Sequence, residues 1–306
     1  MANSPILVVV IAALLGCSSA FFNQMPLRAG KTQIKSPNML RMAEDSPLTK
    51  VVLKNGNSEA EIYALGACVT SFKVDGYDYL FCRPDAKFDG SKPISGGLPF
   101  CWPQFGPGAI QQHGFARNLE WEVVEEQDST AVFKLLPNDE TKAMWNKDFE
   151  LTYTVSLAPG KLSTVFNVAN TGSEDFEFTG ALHSYYRTSA VEKIAVKGPF
   201  KGASFLDKTL DPPSMVEETN EDITVSAFIE RIYPGVSSGI SLEDPEAGKT
   251  LKIINKQGYQ DTVVWNPYGD EGMGASNFLC IESANVMEPI TVSAGGNWVG
   301  ELELEG

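Results

Sequence analysis

The sequence predicts an all-β protein, a large antiparallel sandwich, on three observations. Short apolar runs alternate with period two between turn signals, helical periodicity is weak, and strands do not alternate with helices, which argues against a parallel α/β fold. The clearest run is FELTYTVSL. Phe149, Leu151, Tyr153, Val155 and Leu157 share one face, and Glu150, Thr152, Thr154 and Ser156 share the other. Ala158-Pro159-Gly160-Lys161 turns the chain, and Leu162, Thr164, Phe166 and Val168 repeat the pattern up to Asn170-Thr171-Gly172. Alternation puts one face on a core, and the turn makes the two runs a hairpin.

In chain order, further strands are expected over 50–54, 67–74, 120–125, 131–136, 176–178, 192–197, 223–229, 238–243, 250–255, 261–265, 277–282 and 298–304. About fifteen strands suit one large sandwich. The best helix start is Asn138, a capping side chain ahead of ETKAMWNKD. No repeat and no low-complexity linker interrupts residues 46–306, so they read as a single domain.

The chain has 306 residues, 43% hydrophobic and 21% charged, an ordinary globular composition. Its net charge of −15 argues against nucleic acid and anionic membrane surfaces as partners. An anionic ligand would have to be held by a local cluster of Arg or Lys against that field. The five cysteines form no CxxC pair and no metal spacing, and most sit beside apolar residues, as buried free thiols do.

The first 45 residues read as targeting sequence. Ile6–Leu15 is an apolar run of ten, closed by Gly16-Cys17-Ser18-Ser19-Ala20, which suits a signal peptide over 1–20. A segment over 21–45 follows, opening on Phe21-Phe22, carrying Arg28, Lys31, Lys35 and Arg41, and free of acid before Glu44. That is transit-peptide composition. A signal followed by such a segment resembles the bipartite presequences of algae with secondary plastids. It implies a plastid location, with secretion as the alternative, and a mature protein without membrane attachment. Removing residues 1–42 takes away four positive charges and leaves −19.

The chemistry-bearing stretch is SGGLPFCWPQFGPGAIQQHGFARN, residues 95–118. Pro99, Pro103 and Pro107 each remove a ladder donor, so a rigid loop is expected rather than a core strand. It carries Gln112, His113 and Arg117. The only other histidine is His183, in ALHSYYR, and Glu282 ends the apolar run NFLCIE with Cys280 on its face and Leu279 and Ile281 on the opposite one. A buried carboxylate there needs a partner or a raised pKa. Trp265 and Tyr268, and also Trp102 and Phe105, are candidate faces for a sugar ring. An imidazole and a carboxylate on opposite sides of a small polar ring would meet the needs of acid–base catalysis. Two histidines without ligand spacing argue against zinc.

The motifs DGSKPISGGLPFCWPQFG, QHGFARNLEW, ALHSYYR, VVWNP and CIES, in this order over residues 47–304, resemble the hexose-6-phosphate mutarotases (glucose-6-phosphate 1-epimerases) of the aldose 1-epimerase superfamily. The resemblance implies a galactose mutarotase-like β-supersandwich over 46–306 and interconversion of the α and β anomers of a hexose 6-phosphate. It implies that His183 protonates the ring oxygen while Glu282 takes the proton of the anomeric hydroxyl. Gln112, His113 and Arg117 are implied to bind substrate, Arg117 at the phosphate, and Glu230 falls near a site acid. The implied partner is a small sugar phosphate bound by a monomer, with no metal or organic cofactor. One position departs from the pattern: the family carries Arg where Ser95 stands, and that Arg contributes to phosphate binding. Lys92 or Lys87, from the same loop, is the expected substitute. The alternatives are a mutarotase of another or unphosphorylated aldose, and a non-catalytic carbohydrate-binding protein.

Overall fold

The computed structural model describes residues 47–306, and the targeting readings over 1–20 and 21–45 lie outside the described residues. The chain enters as β1 (Lys50–Asn55), β2 (Ser58–Tyr63), β3 (Cys68–Val74) and β4 (Tyr77–Asp78), which pair in order as a four-stranded antiparallel sheet. Then come β5 (Phe100–Cys101), β6 (Glu122–Glu126), β7 (Thr130–Leu135), α1 (Asp139–Met144), β8 (Phe149–Ala158), β9 (Lys161–Asn170), β10 (Phe176–Leu182), β11 (Tyr185–Arg187) and β12 (Ala195–Lys197). The last third supplies β13 (Ser204–Asp207), β14 (Ser214–Glu217), β15 (Ile229–Tyr233), β16 (Ile240–Asp244), β17 (Lys249–Gln257), β18 (Asp261–Asn266), β19 (Phe278–Val292) and β20 (Asn297–Glu305).

Two eight-stranded antiparallel sheets face each other. One runs β12-β16-β17-β20-β9-β8-β7-β6; the other runs β14-β13-β15-β18-β19-β10-β5, with β11 also on β19. The expected hairpin is β8–β9, in register from Phe149↔Asn170 to Ala158↔Lys161. Its inner residues meet the opposite sheet, where the Phe100 and Phe166 rings lie 4.2 Å apart and those of Phe178 and Trp298 5.4 Å. The core is therefore the aromatic and aliphatic layer between the two sheets. Asn138 does cap α1: its side chain accepts from Thr141 N–H at 2.9 Å, while the Thr141 hydroxyl receives the Asn138 N–H.

Three expectations are corrected. The proline-rich stretch is not wholly loop: Phe100 and Cys101 pair with Leu182 and Ala181 between Pro99 and Pro103, which leaves the prolines at the ends of a two-residue strand. The strand expected over 223–229 lies instead over Ile229–Tyr233. Ile223 and Val225 are buried, but Ile223 makes only an isolated bridge with Val196, so their alternation reflects burial without a ladder. Trp102, a candidate sugar face, is fully buried against Phe115, Phe149 and Phe178.

Candidate active site

β19 is the strand on which the site is laid out. Leu279 and Ile281 enter the main core, so Cys280 and Glu282 point to the other face of the sheet. Leu182↔Ser283 and Tyr185↔Cys280 belong to one continuous register, which sets His183 opposite Glu282. On the other flank Val263 pairs with Glu282 and Trp265 with Cys280, and Glu230 pairs in turn with Trp265. One face thus presents Glu230, Trp265, Cys280 and Tyr185 in a row, with Ile232, Val263, Glu282 and His183 in the next. Beyond them Cys101, Ala181 and Ala284 form an apolar floor of small side chains.

The His183 and Glu282 side chains meet, with Nδ1 3.6 Å from Oε1, ion-pair range but longer than a hydrogen bond. Glu282 is 1% exposed and His183 9%. The His183 N–H donates to the Pro99 carbonyl at 3.0 Å, and its ring stacks on Tyr185 at 5.0 Å with 13° between planes. Trp265 meets the same ring edge-on at 5.6 Å. Nδ1 of His183 and Oε2 of Glu282 are both buried without a hydrogen-bond partner. Buried polar atoms of that kind are uncommon and costly, and a polyhydroxyl ligand would satisfy them.

The loop 102–118 brings the second imidazole over this pair. His113 takes a left-handed backbone, φ 66°, next to Gly114, φ 68°. A Cβ on Gly114 would lie 2.1 Å from the Trp102 carbonyl oxygen, so only glycine fits this close pass. The Gly106 N–H donates to His113 Nδ1 at 3.2 Å, leaving Nε2 to carry the proton of the neutral ring. His113 meets His183 at 5.5 Å and Phe105 at 5.2 Å, both edge-on. Arg117, in a short 3-10 turn, donates from Nη2 to the Gln112 carbonyl at 3.3 Å, and its Nε is buried without a partner.

Electrostatics follow from burial first. Desolvation pushes the His183 pKa down to about 3, with His113, Arg117 and Arg83 adding to the effect. It pushes His113 down to about 4, with Arg117 and Lys208 adding. Glu282 moves well above the carboxylate range, again through burial, reinforced by Glu230 and opposed by Lys208 and Arg117. Burial thus favours the uncharged form of each group, and with it a proton on the carboxyl. Lys208 itself is paired with Glu230. Three cations from three separate segments act on one buried pair in an acidic protein.

Of the residues marked in the sequence, the fold gathers His183, Glu282, His113, Arg117 and Glu230. Gln112 is exposed at the margin, its Nε2 3.4 Å from His113 Nε2. Ser95 is half-buried, and its carbonyl accepts the Arg83 N–H at 2.9 Å. Lys92 and Lys87 are exposed, and the cations bearing on His183 and Glu282 are Arg83, Arg117 and Lys208 instead. Arg83, Lys208 and Tyr185 were not singled out as site residues. Tyr185 sat in the quoted ALHSYYR, two residues from His183 and so on its strand face; Arg83 and Lys208 have no local signal. Among the described residues, no group of three or more His, Cys, Asp or Glu side chains could hold a metal ion.

Residues 49–305 match the aldose 1-epimerase family. The chain belongs to that family. It is 34% identical over 295 residues to a candidate glucose-6-phosphate 1-epimerase of Cenchrus ciliaris, a match covering 89% of each chain. A candidate protein of the same description from Escherichia coli is 31% identical, over 83% of this chain and 88% of its own length. Among solved structures, a candidate mutarotase of Salmonella typhimurium superposes with a TM-score of 0.76 at 25% identity, over 86% of this chain and 91% of that one. The galactose mutarotase-like sandwich is thus the fold, and the protein is an aldose 1-epimerase by family.

Proposed function

We propose that this aldose epimerase acts on a hexose 6-phosphate, glucose 6-phosphate first, with His183 and Glu282 as the proton-transfer pair. The observation carrying the reading is a buried, unsatisfied imidazole–carboxyl pair on which the charges of Arg83, Arg117 and Lys208 act, in a chain of net charge −15. The resemblance to candidate glucose-6-phosphate 1-epimerases supports the same substrate.

One proton on the pair is enough for the reaction. His183 gives a proton to the ring oxygen as the C1–O5 bond breaks, and Glu282 takes the anomeric hydroxyl proton as C1 becomes an aldehyde. Rotation about C1–C2 and reclosure with the roles reversed deliver the other anomer and return both protons. The active arrangement, His183 protonated and Glu282 ionised, is one internal transfer away from the neutral pair. Burial holds the His183 pKa down first, with His113, Arg117 and Arg83 adding to it, and a phosphate bound at the arginines offsets the part that they add. Its charge therefore moves the proton toward His183, a step free glucose cannot assist.

The test is NMR exchange spectroscopy between the anomers of glucose 6-phosphate and of free glucose. Exchange confined to the phosphate ester is expected. Exchange of glucose alone would reassign the substrate to an unphosphorylated aldose, and exchange of neither would leave a carbohydrate-binding protein. Glu282→Gln and His183→Asn are expected to abolish exchange while sugar still binds, and the native enzyme should give a bell-shaped pH profile. Exchange at the native rate in either variant would remove these roles. The proposed location is the plastid, with secretion as the alternative. Residues 1–45 fused to a fluorescent protein in an alga with a secondary plastid distinguish the two.

A further inference from the structure

We infer that Arg83 is the guanidinium that grips the phosphate of the substrate, releasing Asp85 to do so. The inference rests on the hexose-phosphate reading above and names the residue that confers it.

Arg83 lies against the site by backbone pairing. Cys82 and Gly96 form an antiparallel bridge, so Arg83 and Ser95 stand opposite each other. The Phe81 N–H donates to the Tyr185 carbonyl at 3.0 Å, and the Tyr185 N–H to the Gly97 carbonyl at 2.8 Å. These bonds lace the segment carrying Arg83 to the strand carrying Tyr185, whose ring lies parallel on His183. The Arg83 charge is felt at Tyr185, His183 and Cys280, all on the site face.

The three cations differ in what they have free. Lys208 is tied to Glu230 beside the carboxyl of the pair. Arg117 spends Nη2 on the Gln112 carbonyl, and its Nε is buried out of reach without a partner. Arg83 is only 15% exposed, yet its planar fork is taken up by an exposed carboxylate: Nε and Nη2 donate to Asp85 Oδ1 and Oδ2 at 2.9 and 2.6 Å. Two parallel N–H groups on two oxygens is the geometry in which a guanidinium takes a phosphomonoester. Asp85 is 53% exposed and two residues away in the chain, so it can swing into water at little cost when a dianion arrives.

The test measures KM and kcat for anomer exchange of glucose 6-phosphate, with inorganic phosphate as a competitive inhibitor. Arg83→Gln should raise KM on the order of ten- to a hundredfold and weaken inhibition by phosphate in parallel. Arg83→Lys, a charge without the fork, should fall between. Asp85→Asn should lower KM and tighten phosphate inhibition. Ser95→Arg in the Arg83→Gln background puts a guanidinium directly across the bridge and should recover most of the loss. An Arg83→Gln enzyme with native KM and phosphate inhibition but a lower Tm would make Arg83–Asp85 a structural pin and overturn the inference, while leaving the substrate reading intact. A native enzyme that exchanges glucose and ignores glucose 6-phosphate would overturn both.

Discussion

Burial shifts Glu282 and His183 toward their uncharged forms, and that has a sign that can be measured. Burial raises the carboxyl in the fold above its ordinary 4.5, so above pH 4.5 the unfolded chain ionises it more readily than the folded chain does. The group thus lowers stability as pH rises above 4.5, by up to about 1.4 kcal/mol for each unit over which the two states differ. Glu282→Gln keeps the shape and removes that cost. Its Tm should exceed the native value by several degrees at pH 8 and converge on it at pH 4.5, as activity is lost. For the histidines the sign reverses: both pKa values lie below the ordinary 6.5, at about 3 and about 4, so their cost appears as pH falls below 6.5. His183→Asn should therefore narrow the acid-side loss of stability without changing Tm at pH 8. Differential scanning fluorimetry across pH 4.5–8 reads both. His183, Glu282 and Arg117 were legible in the sequence because each sits in a short motif, and for Glu282 the strand face is readable from its neighbours. Arg83 and Lys208 were not, because the pairings that bring them to the site span from about a hundred residues upward of sequence in one case and two intervening strands in the other.

At the scale of elements, the site depends on β19 keeping its register on both flanks. Its pairing with β10 shifts between Phe178↔Ile290 and Gly180↔Asn285, so residues 286–289 bulge out of the ladder. The freed N–H groups of Val286 and Met287 are taken by Oδ2 of Asp261 at 2.9 and 3.1 Å, and Gly235 N–H by Oδ1 at 3.3 Å. Asp261 is 6% exposed. Asp261→Ala leaves those donors without a partner and should cost about 2–4 kcal/mol by chemical denaturation. It should also disturb exchange kinetics, since Glu282 is the fourth residue before the bulge. A variant with native stability would assign the bulge to packing alone. This bulge also explains why the sequence pattern stopped at 282 while the strand continues to Val292: two-residue alternation fails where three extra residues enter. β13 and β14 were unreadable for a different reason. SFLD and SMVE are four residues each with only Phe205 buried between them, so they carry no alternation long enough to detect.

For the whole molecule, the sandwich was legible because β8, β9 and β20 each alternate over nine or ten residues, and every inner residue of β8 is buried. The convergence of cations was not, since global composition points the other way. That opposition has a kinetic consequence. A chain of net charge −15 repels a phosphate dianion at long range, and the repulsion reaches about 30 Å at 0.01 M salt but only about 8 Å at 0.15 M. On the proposed phosphate reading Arg83 and Arg117 act at contact, within a partly buried site where screening is weak. Added salt should therefore remove more repulsion than attraction. KM for glucose 6-phosphate should fall severalfold between 0.01 and 0.15 M ionic strength, with the same trend in chloride and acetate, while any response to free glucose stays flat. A KM that climbs with salt would mean the local cations dominate the approach as well as the bound state, with the acidic body playing no part in substrate capture.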